Sequence, residues 1–369
     1  MENNLESLKN REQNFKTLQW FGSHLELIDQ RKLPTKEEFV RCFSCEDVAL
    51  AIKEMVVRGA PAIGCAAAFG FVFCVREAIC KVDPTEKKIV FSRKDIETII
   101  SLVKTKKERL LKSRPTAVNL AWAVSRLEFS FLKNIEKNHE ELAHNVEREA
   151  IDLLSEDVKV NRLIGSFGNS LIPEKAKILT YCNAGALATA GYGTALGVVR
   201  SAHFAGKEIE VFASETRPFL QGARLTTWEL LKDEIPVTLI SDNMCGYLMN
   251  KKEIDVVVVG ADRVAANGDV VNKIGTYTLS VLAKENRIPF FVACPLSTID
   301  LSTDRGVDIV IEERCGSEVR GYDSQVWAPN EVRVSNPAFD ITPHHNISAL
   351  ITEKGLISPV NSRNLINSI

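Results

Sequence analysis

The stretch AKILTYCNAGALATAGYGTALGVVR, Ala176 to Arg200, decides how the rest of the chain is read. An apolar run closes on Cys182 and passes at once into Asn183-Ala184-Gly185 and a series of small residues. On its own, a thiol ending such a run is most simply a small core residue. Its company argues for more. AKILTYC is the first of several nearly continuous apolar runs: IEVFASE (209–215), PVTLIS (236–241), DVVVVGAD (255–262) and PFFVACP (289–295) follow. Between them lie helix-like stretches such as GARLTTWELLKD (222–233) and IGTYTLSVLAKEN (274–286). Strands that are apolar throughout are covered on both faces, and strand–helix alternation makes a parallel, doubly wound sheet.

Upstream the texture differs. KTLQWFGSHLELIDQRKLP (16–34) reads as two short strands around a Gly22-Ser23 turn, and from about Glu46 to Ile172 the apolar spacing is helical. Pro61 stands near a helix start. The fold class expected is α/β: a mainly helical N-terminal domain with a small β hairpin (1–145), then a Rossmann-like doubly wound parallel-sheet domain (146–369).

Composition narrows the function. The 369 residues are 45% apolar and 25% charged, the proportions of a soluble globular protein large enough for two domains. Forty-six basic residues against 48 acidic ones leave a net charge of −2, which gives no electrostatic footprint for nucleic acid. No run of about 18 consecutive apolar residues marks a membrane span, and the polar N-terminus does not resemble a signal peptide. Nine irregularly spaced cysteines are no disulfide framework, so a cytoplasmic protein with reduced thiols is expected. CFSC (42–45) lacks the second pair or histidines of a metal site and reads as a helix start with two half-buried thiols.

In an open parallel sheet, ligands sit beyond the carboxyl ends of the strands. Cys182 lies at one such end and Asp262, in VVVVGADR, at another. Gly185 and Ala186 would let backbone approach a ligand, and Asn267-Gly268 makes a turn. Asn272-Lys273 stands before a helix opening at Gly275-Thr276, whose free N–H groups would suit an anion. Lys273 is either a phosphate ligand or a solvated loop lysine. A cation and N–H groups would favour a thiolate at Cys182, whereas burial of Asp262 at a strand end would favour its neutral form. Such a pair offers one proton acceptor and one proton donor. Arg58 in VRGAPAIG and Arg114 in SRPTAVNL are surface charges or phosphate forks. Gln221 could fix a sugar hydroxyl through its amide. Asp340 in NPAFD is a candidate for supporting the site, and His344-His345 stay unassigned.

Eight blocks together, LIDQRKLP (27–34), VRGAPAIG (57–64), SRPTAVNL (113–120), the Tyr181–Arg200 run, SETRPFLQGARLTTWEL (214–230), GADRVAANGDVVNKIGTYTLSVLA (260–283), PFFVACPLSTID (289–300) and NPAFDITP (336–343), resemble the methylthioribose-1-phosphate isomerase family. That family is related to the regulatory subunits of initiation factor 2B. The resemblance implies an aldose–ketose isomerase of methionine salvage, working without metal or organic cofactor and typically as a homodimer. It implies Cys182 and Asp262 as the catalytic pair. It places substrate contacts on Arg58, Gly59, Ala60, Arg114, Gln221, Asn272 and Lys273. Ser214, where an acidic residue is expected, and Cys294, where alanine is commoner, are its departures. A ribose-1,5-bisphosphate isomerase and a non-catalytic regulatory protein remain open alternatives at this point.

Overall fold

The computed structural model describes residues 13–84, 91–114 and 118–368. They form two compact units. Of the described residues, a helical unit holds those from Lys16 to Lys159 together with Leu187–Gly191; a sheet unit holds Val160–Ala186, those from Tyr192 onward, and 13–15. The division therefore falls at Lys159/Val160 rather than at 145/146. It lies inside one unbroken helix, His139–Asn169, whose apolar spacing carries no mark of the change.

The helical unit opens with β1 (Leu18–Trp20), β2 (Leu25–Ile28) and β3 (Phe39–Cys42). These pair antiparallel in the order β1-β2-β3, so the expected hairpin is a three-stranded sheet. FVRC was illegible as a strand because it is four residues long and mostly exposed. Helix α1 (Cys45–Lys53) starts at Ser44, whose Oγ accepts the Asp47 N–H. CFSC thus ends a strand and begins a helix, and both its thiols are fully rather than half buried.

Helix α2 (Ala60–Val82) is the unit's centre. It is long and apolar enough to cross a bilayer, which the sequence reading did not anticipate, but its middle is buried in a core with α1, α3 (Arg93–Lys112) and α4 (Val118–Asn134). Helix α3 begins in a capping box between Ser92 and Asp95. The long helix His139–Asn169 is α5.

The sheet unit is built on β4 (Lys175–Thr180), β5 (Glu208–Ser214), β6 (Val237–Ile240), β7 (Val256–Val259) and β10 (Phe290–Ala293). Ala349–Thr352 (β15) and Gly355–Ile357 (β16) complete it. The order is β16-β15-β10-β7-β4-β5-β6, parallel except for the edge strand β16. Alternate residues feed two cores: Leu179, Val257 and Val292 point into one, Ile178, Val256, Val258 and Phe291 into the other. That is why these strands read as continuous apolar runs. Helices α6 (Ala195–Phe204), α7 (Thr227–Lys232), α8 (Cys245–Asn250) and α9 (Thr276–Asn286) connect them. A smaller sheet joins β11 (Ile299–Asp300), β8 (Arg263–Ala265), β9 (Val270–Lys273) and β14 (Phe339–Thr342); β12 (Gly321–Tyr322) and β13 (Gln325–Val326) make a separate pair.

A charged cluster lies inside the sheet unit. Arg200 on α6 is wholly buried. Its Nε and Nη2 donate to Asp233 at 2.8 and 2.6 Å, Nη2 to Glu229 at 2.7 Å, and Nη1 to the Tyr192 carbonyl at 2.7 Å. Burial works against the guanidinium charge, yet the two carboxylates raise its pKa on balance. Replacing one partner of such a cluster leaves the others charged and dry. Arg200→Met is therefore expected to lose about 3–5 kcal/mol of stability, read by denaturant unfolding; a loss below about 1 kcal/mol would contradict this account.

Candidate active site

The chain runs β4, β5, β6 outward to one side, then returns to lay β7 against the other flank of β4. This reversal is the switch point at which open α/β sheets leave a crevice. Cys182 follows β4 by two residues and Asp262 follows β7 by three, and the two strands are direct neighbours, with Ile178 opposite Val256 and Leu179 opposite Val257. Their loops touch. A Cβ on Gly260 would stand 2.6 Å from the Ala184 Cβ, so the second loop passes the first only with glycine there.

Cys182 adopts φ 60°, a left-handed conformation uncommon outside glycine. Two hydroxyls hold its peptide groups. The Cys182 N–H donates to Thr216 Oγ1 at 2.8 Å, and Thr226 Oγ1 donates to the Cys182 carbonyl at 2.6 Å. The thiol is half buried. The small residues that follow serve the protein rather than a ligand. Gly185 makes room for the Glu229 carboxylate, which a Cβ would meet at 2.0 Å, and the Ala186 N–H donates to Glu229 Oε2 at 2.8 Å. Asn183 also donates to Glu229. No helix follows directly: a single 3-10 turn (Ala186–Ala188) intervenes before α6.

Beyond Asp262 the chain forms a β hairpin, β8 and β9 around Asn267-Gly268, where the sequence suggested only a loop. The Asp262 N–H bonds the Val271 carbonyl at 2.9 Å, which brings Asn272 and Lys273 back beside Asp262. The strands are three and four residues long, too short for an alternation signal. Asp262 itself is exposed, so the desolvation expected of it is absent; it stands past the strand rather than inside its end.

Lys273 is 4% exposed, which excludes the solvated-loop reading. Burial lowers its pKa; the charges of Cys182 and Asp262 pull the other way, while Arg314 adds to the lowering and Glu318 opposes it. Thiol and carboxyl thus act on one buried ammonium group. Asn272 is also buried and donates to Thr276 Oγ1 at 3.0 Å. The N-terminus of α9, expected to face an anion, is capped from within. Asp340 accepts the Gly275 N–H at 2.7 Å and the Tyr277 N–H at 3.0 Å. Asp340 therefore supports the segment that carries Lys273, as NPAFD suggested, by pairing across β14–β9 opposite Asn272.

Gln221 precedes a π-helical turn, Gly222–Thr226, which also contains the Thr226 that binds Cys182. Gln221 is 7% exposed, and its Oε1 has no partner among the described residues. A buried amide oxygen left open fits a ligand hydroxyl. The remaining sequence candidates belong to the helical unit. Arg58 is half buried just before Gly59, the N-cap of α2, where φ is 95° and a Cβ would lie 2.5 Å from the Ala188 carbonyl. Ala60 opens α2, and Arg114 follows α3. Sequence reasoning missed Thr216, Thr226 and Glu229, whose residue types carry no chemical signature.

Fold and site define a Rossmann-like α/β protein with a thiol, a carboxyl and a buried lysine converging at the switch point of the sheet. The initiation factor 2 subunit family model matches residues 56–359, and the chain belongs to that family. The methylthioribose-1-phosphate isomerase of Thermosipho melanesiensis is 53% identical over 95% of this chain and 96% of its own length. That of Desulforamulus reducens is 51% identical, over 94% and 96%. Among solved structures, 5-methylthioribose 1-phosphate isomerase from Pyrococcus horikoshii OT3 superposes with a TM-score of 0.88 at 40% identity, covering 98% of this chain and 97% of that one. A structure described as translation initiation factor eIF-2B, subunit delta, from A. fulgidus gives 0.83 at 45% identity, covering 96% and 99%.

The Asp340 carboxyl is pushed up to about 6 by burial, which outweighs the Gly275 and Tyr277 N–H bonds that favour its charge. A carboxyl whose pKa is higher folded than unfolded favours folding below its unfolded value of 3.8, and that contribution is lost as pH rises to about 6. The Tm of the wild type minus that of Asp340→Asn should therefore fall between about pH 4 and pH 7. A difference that is flat or rises with pH contradicts the assignment.

Proposed function

We propose that this protein isomerises 5-methylthio-α-D-ribose 1-phosphate to 5-methylthio-D-ribulose 1-phosphate, as a step of methionine salvage, in the cytoplasm and as a homodimer. The reading rests chiefly on one observation. Identity above 50% to proteins named for this reaction spans nearly the whole chain; the gathering of a thiol, a carboxyl and a lysine at the switch point agrees with it.

The substrate sets the chemistry. Its anomeric oxygen carries phosphate, so the ring cannot open to an aldehyde unaided. An acid must protonate the ring oxygen as it leaves C1, and hydrogen must then move from C2 to C1. Asp262 is assigned as the acid. Cys182, as a thiolate beside the Lys273 ammonium, accepts the proton from the C2 side or stabilises the charge that develops. Arg58, Gly59, Ala60, Arg114, Asn272 and Lys273 are assigned to the phosphate and sugar, and the open Gln221 Oε1 to a sugar hydroxyl. Movement through a phosphoenolate exchanges the migrating hydrogen with solvent, whereas a direct hydride shift does not.

A second reading has one observation in its favour, the description of the 45%-identical A. fulgidus structure as an initiation-factor subunit. Turnover separates the two. The purified protein is expected to convert the 5-methylthio substrate and to prefer it over the 5-phospho analogue; binding without conversion would favour the regulatory reading. Cys182→Ser and Asp262→Asn should each lower kcat by about 10²–10⁴-fold with Tm little changed, and activity retained in either removes its role. In deuterated water, deuterium at C1 of the product marks the phosphoenolate route and rules out the direct hydride shift.

A further inference from the structure

We propose that Asp242 is a positioning residue for Cys182 and acts through Thr216. The inference rests on the reading of Cys182 as the reactive thiol. Thr216 is wholly buried and adopts φ 64°, a left-handed conformation that is a genuine outlier for a β-branched residue. Cys182 adopts φ 60° directly beside it. Such backbone persists only where surrounding bonds over-determine it, and it gathers at functional sites.

The bonds that do so here converge on one carboxylate. Asp242 lies two residues past β6. Its Oδ1 accepts the Thr216 N–H at 2.8 Å and the Ser214 hydroxyl at 2.5 Å, and its Oδ2 accepts the Arg217 N–H at 2.7 Å. The Thr216 hydroxyl spends its proton on the Ser214 carbonyl at 3.0 Å. Its oxygen is then left to accept the Cys182 N–H at 2.8 Å. Three neighbouring strands, β6, β5 and β4, thus pass one chain of hydrogen bonds from Asp242 through Thr216 to the backbone of Cys182. Loss of the carboxylate releases a buried N–H and the strained residue carrying it, and the thiol moves with its own backbone. Of the phosphate and sugar contacts assigned above, all but Gln221 lie on other segments. Their contribution to binding survives, and the damage falls on the chemical step.

Asp242→Asn keeps shape and removes charge, Thr216→Val keeps shape and removes the hydroxyl, and Thr216→Ser restores the hydroxyl. In the full-length protein, Asp242→Asn and Thr216→Val should lower kcat by about 10–100-fold while KM stays within about threefold, and Thr216→Ser should recover most of the loss. A readout independent of turnover is the alkylation of Cys182 by iodoacetamide, followed by peptide mass. Its rate–pH profile should shift in the first two variants, while that of the exposed Cys80 should not. Wild-type kcat and an unchanged Cys182 profile in both variants overturn the proposal. If Asp242→Asn fails to fold, the Thr216→Val and Thr216→Ser pair decides alone. A wild type that never turns over the sugar phosphate sinks the functional reading instead, and the alkylation comparison still decides this one.

Discussion

The Glu229 carboxylate, buried beneath the loop that leaves β4, is the constraint on which the site depends. It has no access to water and must satisfy itself within the protein. It does so with the Arg200 guanidinium, the Asn183 amide and the Ala186 N–H. A buried ion pair is a poor source of stability, because desolvating two charges offsets most of their attraction. What it supplies here is definition. With Asp233 as a second acceptor and the Tyr192 carbonyl as a third, Arg200 has its donors committed. The loop from Asn183 to Ala186 can then pass over Glu229 in only one way. Gly185 follows from this, since no side chain fits between that loop and the carboxylate.

A rigid loop places Cys182, but the neighbour relation between β4 and β7 makes the place useful. Because the chain reverses its winding between them, the connections beyond these strands leave a crevice at the carboxyl ends, and the two loops touch at Gly260 and Ala184. The hairpin of β8 and β9 then returns Lys273 to the same spot, and Asp340 on β14 fixes the helix start just beyond it. The ends of β4, β7 and β9 supply one thiol, one carboxyl and one ammonium group without any of them leaving a regular element by more than a few residues.

The large sheet was legible because its strands are buried on both faces and advertise it as unbroken apolar runs. Val256–Val259 cannot be read otherwise. The helices of the other unit were legible from their period, and the strand-end positions of Cys182 and Asp262 from the apolar runs that precede them. Short elements escaped: β3, β8 and β9 are too brief to show alternation, and their pairing is set by partners distant in sequence. The role of the small residues escaped for a different reason. A glycine in sequence says that something comes close, not what comes close. At Gly185 the visitor is the protein's own glutamate, and at the start of α9 the expected anion is the protein's own Asp340. In both places helix ends and spare N–H groups, which sequence reasoning offers to a phosphate, are already taken by carboxylates.

That internal competition bears on how the proposed chemistry would run. With those N–H groups occupied, Lys273, a buried ammonium that its surroundings make less basic than usual, carries positive charge into the switch point, with Arg314 near enough to act on it. A thiolate at Cys182 and a carboxylate at Asp262 both favour that charge, so the three groups form one electrostatic unit in which the state of each depends on the others. Asp262 is exposed, so the acid role proposed for it requires that substrate displace the water around its carboxyl. A sugar phosphate bound as proposed would cover that carboxyl and set its own negative charge against a second one. On this argument the substrate completes the acid that acts on it, and the fold's contribution is to keep the thiol, the lysine and the uncovered carboxyl at the lip of the same two strands.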